Sequence, residues 1–215
     1  MPVDTSCGYR EFKTAEEAED WAGIHYADLL SMNPEDELYY IISTYTGSWY
    51  KCLNRLLRIC PPLASADFNH VNFCEYEDEK QEILKINSAL NRYSLPENII
   101  VHRYTYLRDV IKMTGKCILR KGLCFSDKAF VSTTLVKGLL EQFSRENRCT
   151  CVLKICLPKG IPGAYVSFKT DKTRLNEQEF LLPPNIKMKI TKVHYLTCPM
   201  QIECLALLDE RGSIQ

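Results

Sequence analysis

The chain has 215 residues, 46% of them apolar and 25% charged, which excludes wholesale disorder and any need for disulfide staples. Lysine plus arginine matches aspartate plus glutamate at 27 each, so the charge balance argues against a general nucleic-acid or anionic-membrane binder. No apolar run reaches the roughly 18 residues of a membrane span, and the first residues show no conventional secretion signal.

The first half reads as helices. Thr14 and Glu17 have capping-box spacing ahead of a helix from Ala15 to Leu30, with Trp21, Ile24 and Leu29 as core positions. Asn33-Pro34 opens a second helix carrying Leu38, Ile41 and Ile42, and Gly47-Ser48 breaks it. Trp49 to Ile59 forms a third, stopped before Pro61-Pro62, and Glu75 to Arg92 a fourth with Ile83, Leu84, Ile86 and Leu90 on its apolar side. After Pro96 the texture is β-branched: strands are predicted at 99–103, 130–134, 150–157, 185–196 and 201–208, with a short helix and a polar loop over 135–145. Helices first and strands later predict an α+β fold in one domain spanning 1–215.

The eleven cysteines include a C-x-C at Cys149 and Cys151 but no C-x-x-C, and the four histidines have no metal-ligand spacing. Reduced, mostly structural thiols and no metal are expected. Dinucleotide-binding, P-loop, nucleophile-elbow and zincin motifs are absent.

Three pieces of the strand-rich half carry chemistry: Val101-His102-Arg103-Tyr104, Phe130-Val131-Ser132-Thr133-Thr134, and Glu177-Gln178-Glu179-Phe180-Leu181-Leu182-Pro183. If the third is extended, alternation puts both carboxylates on one face. Paired carboxylates suit a reaction that passes through an oxocarbenium ion.

Arginine on a strand, then aromatic-x-Ser-Thr-Thr, then Glu-x-Glu resembles the Arg–Ser–Glu class of bacterial mono-ADP-ribosyltransferase toxins, and is similar to the Rho-modifying clostridial exoenzyme and the enzymatic components of actin-modifying binary toxins. Tyr9-Arg10-Glu11-Phe12, Tyr45-Thr46 with Leu53-Asn54-Arg55-Leu56-Leu57-Arg58, Pro96-Glu97-Asn98-Ile99, Leu157-Pro158-Lys159-Gly160 and Gly163-Ala164-Tyr165 follow in family order. The likeness runs from about 9 to 208.

That resemblance implies two roughly perpendicular antiparallel-rich sheets with helices at the N-terminal side, and NAD as co-substrate without a metal. It implies that Arg103 clamps the phosphates and the nicotinamide ribose, and that Arg58 and Asn54 contact the phosphates and the adenosine side. Tyr104, Phe143 and Arg148 join them as NAD contacts. Ser132 holds Glu179, and Glu179 binds the ribose 2′-hydroxyl and stabilises the developing cation. Glu177 serves the acceptor, which its charge marks as an arginine, and Phe168 meets the target protein.

The implied activity is transfer of ADP-ribose from NAD to an arginine of a host protein, with actin or a small GTPase as first guesses. The alternatives are an NAD glycohydrolase and an inactive NAD-binding interaction module. A monomeric effector is expected, secreted or injected by a bacterium and acting in the host cytosol, with a delivery partner or a neutralising protein, and with no nucleic acid or membrane as partner.

Overall fold

A computed structural model describes residues 8–59, 77–168 and 177–208. The expected stop at Pro61-Pro62, the first turn of the fourth helix at Glu75, most of the loop before Glu177 and the Phe143 side chain lie outside the described residues.

Thr14 caps helix α1 (Ala15–His25) as its spacing predicts: its hydroxyl accepts from the Glu17 amide at 3.2 Å, and the Glu17 carboxylate accepts from the Lys13 amide at 2.8 Å. The helix stops at Tyr26 and restarts as the single turn α2 (Ala27–Leu30), because the Tyr26 ring turns inward onto Trp21 and Phe180. Trp21 and Leu29 are buried as expected, whereas Ile24 is 75% exposed. Next come α3 (Glu37–Thr44) and α4 (Tyr50–Ile59), then α5 (Glu77–Arg92) with Ile83, Ile86 and Leu90 fully buried.

Gly47-Ser48 does not break the chain between α3 and α4. Tyr45–Trp49 instead forms one wider π turn that joins them. Tyr45, 1% exposed and edge-on to Phe130 at 5.3 Å, anchors that turn, and tertiary packing overrides the local breaking tendency of glycine and serine. Leu53 and Leu57 of α4 are fully buried, so truncating either to alanine costs about 2–5 kcal/mol.

The strands are β1 (Ile99–Thr105), β2 (Cys124–Phe125), β3 (Val131–Thr134), β4 (Cys151–Leu157), β5 (Ala164–Tyr165), β6 (Glu179–Leu182), β7 (Met188–His194) and β8 (Met200–Ala206). Helix α6 (Leu107–Thr114), closed by Gly115 at φ 63°, follows β1; a 3-10 turn (Lys137–Leu140) and α7 (Glu141–Glu146) fill 137–146. The architecture is α+β, with helices leading and strands following.

The two expected sheets are joined into one of eight strands, in the order β2-β7-β8-β4-β1-β3-β6-β5. Every pairing is antiparallel except β4 with β8. The join is narrow. β1 pairs with β4 along its whole length, but with β3 only at His102 and Thr134. Where that ladder ends, the Arg103 side chain rather than a backbone amide takes the Ser132 carbonyl, at 3.3 Å. The sheet therefore opens beside Arg103 and Ser132.

The thiols divide. Cys151, Cys156 and Cys204 are buried on the paired strands β4 and β8, where they pack as small apolar groups. Cys52, Cys117, Cys124 and Cys198 are exposed, so the packing role expected of most thiols falls to the buried cysteines of β4 and β8 and not to these. Among the described residues no His/Cys/Asp/Glu group is placed to hold a metal ion, and no helix is long and apolar enough to cross a membrane.

Candidate functional site

At the opening in the sheet lies a cavity of about 320 Å³, walled by the π turn, α4, β1, β3 and the glutamate segment. Arg103, Ser132, Glu177 and Glu179 all line it, from pieces far apart in sequence, together with Asn54 and Tyr104. Tyr45, Thr46, Gly47 and Tyr50 form the helical wall. A π turn is a recurrent device at functional sites, because the widened turn redirects side chains that a regular helix would carry past.

The two glutamates do not reach the cavity in the extended form their spacing suggests. Glu177 lies in a short turn, Gln178 takes a left-handed backbone at φ 47°, and β6 starts only at Glu179. Left-handed backbone is uncommon for a side chain of this kind, so the surroundings must fix it. Gln178 is fully buried. Its amide oxygen accepts from the Tyr165 hydroxyl at 2.8 Å, and its amide nitrogen donates to Glu19 of α1 at 2.9 Å. The Gln178 carbonyl accepts from the Leu135 amide at 3.0 Å.

Hydroxyls hold the same segment by its backbone. Thr134 donates to the Glu177 carbonyl at 2.7 Å and Thr133 to the Phe180 carbonyl at 2.6 Å, while the Ser167 hydroxyl accepts from the Glu179 amide at 2.7 Å. The serine strand thus does hold the glutamate segment, through the two threonines after Ser132. The Ser132 side chain itself is exposed to the cavity. Glu179 is 6% exposed and Glu177 only partly buried. Burial, and then the nearby Glu179 charge, push the Tyr45 phenol above its ordinary value, which keeps it neutral.

The arginine side is organised by Asp127, which sequence reasoning missed. Arg58 Nε and Nη2 donate to the two Asp127 carboxylate oxygens at 3.0 and 2.7 Å, and Arg103 Nη2 approaches the same carboxylate at 3.5 Å. Hydrogen bonding to Asp127, against some desolvation, raises the Arg58 guanidinium still further above neutrality. Arg58 lies one helical turn beyond Asn54 and is not a wall of the cavity as described. Asn54, expected to face adenosine, is 7% exposed: its amide nitrogen donates to the Tyr45 hydroxyl at 3.0 Å, and its oxygen accepts from the Phe130 amide at 3.2 Å. It ties α4 to β3 while showing one edge to the cavity.

His102, beside Arg103, is 1% exposed and shares a 3.1 Å contact with Glu11. Burial holds the imidazole below its ordinary value, and the His102 hydrogen bond helps to draw the Glu11 carboxyl down to about 2. The pair is therefore a neutral imidazole donating to a carboxylate.

The remaining expected contacts fall elsewhere. Tyr104 separates the cavity from a second one of about 480 Å³ walled by Lys137, Arg145 and Cys198, and its hydroxyl donates to the Lys137 carbonyl at 3.3 Å. Arg148 is exposed on the turn after α7, with φ 52°. Phe168, expected to meet a target protein, is instead 3% exposed and packed on Tyr39 with ring centroids 4.7 Å apart, so it serves the core here. Gln178 and Asp127 had no periodic signal; the Asp-Lys-Ala-Phe run directly before the serine strand was the one visible cue.

The fold has counterparts among solved structures. Plx2a, an ADP-ribosyltransferase toxin from Paenibacillus larvae, is 20% identical with a TM-score of 0.68, over 92% of this chain and 99% of that one. The Clostridium limosum C3 exoenzyme is 18% identical with a TM-score of 0.69, over 93% and 98%. The structure of C3stau2 from S. aureus with NAD is 19% identical with a TM-score of 0.69, over 94% and 100%. No curated protein sequence matches the chain. These likenesses show the fold, and the family follows from sequence: a family model described as ADP-ribosyltransferase exoenzyme matches residues 18–201, so the chain belongs to the ADP-ribosyltransferase exoenzymes.

Proposed function

We propose that the protein transfers ADP-ribose from NAD to an arginine side chain of a target protein, from one catalytic domain over 1–215. The observation that carries this reading is the convergence of Arg103, Ser132, Glu177 and Glu179 on one cavity. The residues suit the substrate. A cavity of about 320 Å³ is at the small end of ligand sites and matches the nicotinamide ribose end of a dinucleotide, with the rest lying outward. Arg103 supplies a permanently charged fork for phosphate oxygens, and Tyr45 and Tyr50 give aromatic walls.

In the reaction the bond between the nicotinamide nitrogen and ribose C1′ breaks, and its electron pair leaves with nicotinamide. Glu179 accepts a hydrogen bond from the 2′-hydroxyl and stabilises the cation that remains. An arginine nitrogen then bonds to C1′ and its proton passes to Glu177. A guanidinium attacks poorly while fully protonated, with a pKa above about 12, so a carboxylate at the acceptor side is what this chemistry needs. Glu177 is the more open of the pair, which agrees with an acceptor from outside. The same openness favours water as a competing acceptor, and NAD hydrolysis is the companion activity.

The wider setting follows the same reading: a bacterial effector, secreted or injected, acting on a protein of the host cytosol, with actin tested first and a small GTPase second. The test is transfer of label from tagged NAD into a eukaryotic lysate, wild type beside Glu179→Ala. Bands given by wild type alone, with the label on arginine, support the proposal. Label on another residue type overturns the arginine assignment. Nicotinamide release with no labelled protein in any lysate replaces transfer with hydrolysis.

A further inference from the structure

Asp127 is not itself a wall of the cavity, yet it is the buried acid on which both Arg58 and Arg103 converge. Its side chain is 5% exposed. Its own position is fixed at both ends: the carboxylate accepts from the Ala129 amide at 3.1 Å, and its carbonyl accepts from the Asn185 amide at 2.8 Å. Against this rigid acid, Arg58 presents its Nε–Nη2 edge in the two-bond fork that best fits a carboxylate. Arg103 is held between the same carboxylate and the Ser132 carbonyl. The Arg58 side chain is 47% exposed, so without this partner it would sample many rotamers and lose that freedom on binding a ligand.

We propose that Asp127 is a positioning residue that gathers Arg58 and Arg103 into one pre-oriented clamp for the pyrophosphate of the dinucleotide. The inference rests on the ADP-ribosyltransfer reading and deepens it. Two guanidiniums on a single carboxylate keep one net positive charge. The carboxylate lowers their mutual repulsion and takes up one edge of Arg58, leaving the remaining donor nitrogen for phosphate. A mere latch between α4 and the approach to β3 is a weaker account, because the Asn54 contact with the Phe130 amide already makes that connection. The ligand class is set by the clamp: molecules with a pyrophosphate, such as NAD and ADP-ribose, depend on Asp127, and nicotinamide alone does not.

The test is calorimetric titration of ADP-ribose and of nicotinamide into wild type, Asp127→Asn and Asp127→Glu, beside steady-state NAD hydrolysis. Asp127→Asn is expected to weaken ADP-ribose about tenfold and raise the KM for NAD by a similar factor, with kcat within about threefold and nicotinamide affinity unchanged. Asp127→Glu, which keeps the charge, is expected to recover part of the loss. Unchanged ADP-ribose affinity in Asp127→Asn reduces the residue to a latch and overturns the inference. Tighter binding overturns it too, since the carboxylate would then compete with phosphate. If Asp127→Asn does not fold, Arg58→Lys keeps the charge and loses the fork on a half-exposed side chain: weaker ADP-ribose binding supports the clamp, and wild-type affinity sinks it. A wild-type protein that binds neither NAD nor ADP-ribose sinks the parent reading, and this inference with it.

Discussion

The two sides of the cavity are held in different ways. On the arginine side, charged side chains are fixed by other side chains: Arg58 and Arg103 meet at Asp127, and the Asn54 amide bridges Tyr45 and the Phe130 amide. On the glutamate side, the backbone is gripped. Thr133, Thr134 and Ser167 bond to carbonyls and an amide, and Gln178 bolts the kink between the glutamates into the core. An ion-paired side chain tunes charge and affinity, while a clamped backbone sets where a carboxylate sits to a fraction of an ångström. Lesions on the first side should therefore appear in KM, and lesions on the second in kcat.

The sharpest break of that comparison is Glu179→Ala. Loss of the carboxylate proposed to stabilise the developing cation is expected to cut both transfer and NAD hydrolysis by about 10³-fold or more, measured as nicotinamide release. Glu177→Gln separates the two acceptors: transfer to arginine should fall by about 10²-fold while hydrolysis stays within about threefold. Arginine modification that survives this change intact would reverse the assignment of the two carboxylates.

Gln178→Met keeps the length of the side chain and removes its bonds to Tyr165 and Glu19. The expected result is a kcat lowered about tenfold at an unchanged KM for NAD, the mirror image of the Asp127 result. A shift in KM instead would dissolve the distinction between the two sides. The smallest effect lies at Glu11 and His102, where a buried imidazole of the cavity wall meets a carboxylate behind it. Glu11 titrates at about 2 in the fold, against an ordinary 4.5, so its contribution is complete above that ordinary value and is lost as pH falls from it toward 2. His102 is held below its ordinary 6.5, so the unfolded chain takes up a proton first and stability starts to decline as pH drops below that value. Both slopes have the same sign. Thermal unfolding followed by circular dichroism should show a midpoint that falls on acidification, and Glu11→Gln should flatten the lower part of the curve.

Parts of this were legible before any coordinates. The Thr14–Glu17 cap, the apolar face of α5 and the β-branched run of β1 are short-range patterns that the structure realises. Arg103, Ser132, Glu177 and Glu179 could be singled out because few residue types perform such chemistry and each sits in a short motif, and the structure gathers them at one cavity. What stayed hidden depends on packing across the fold. Gly47-Ser48 has the composition of a break, yet the buried Tyr45 ring carries the helix through it. Gln178 has no local reason to adopt a left-handed backbone; its reasons are Tyr165 and Glu19, one of them 159 residues away. Asp127 is a lone acid in a loop, informative only once Arg58, 69 residues earlier, is beside it. Helix α6 was missed because it is short, although Gly115 after an amphipathic run marked its end.

The positions of the two tryptophans give the fold an optical property. Trp21 is enclosed, 2% exposed, with its indole 6.4 Å from the Phe180 ring that follows Glu179. Trp49 is 39% exposed at the end of the π turn, next to Tyr50 of the cavity wall. Their emission should differ in colour, blue for the enclosed indole and red for the wet one, so unlabelled protein carries a probe beside the Tyr50 wall and a reference beneath the strand that bears Glu179. Filling the cleft should quench the red component and leave the blue one, and Trp49→Phe should abolish the signal. The variants above can then be ranked for ligand binding without turnover, dye or partner protein.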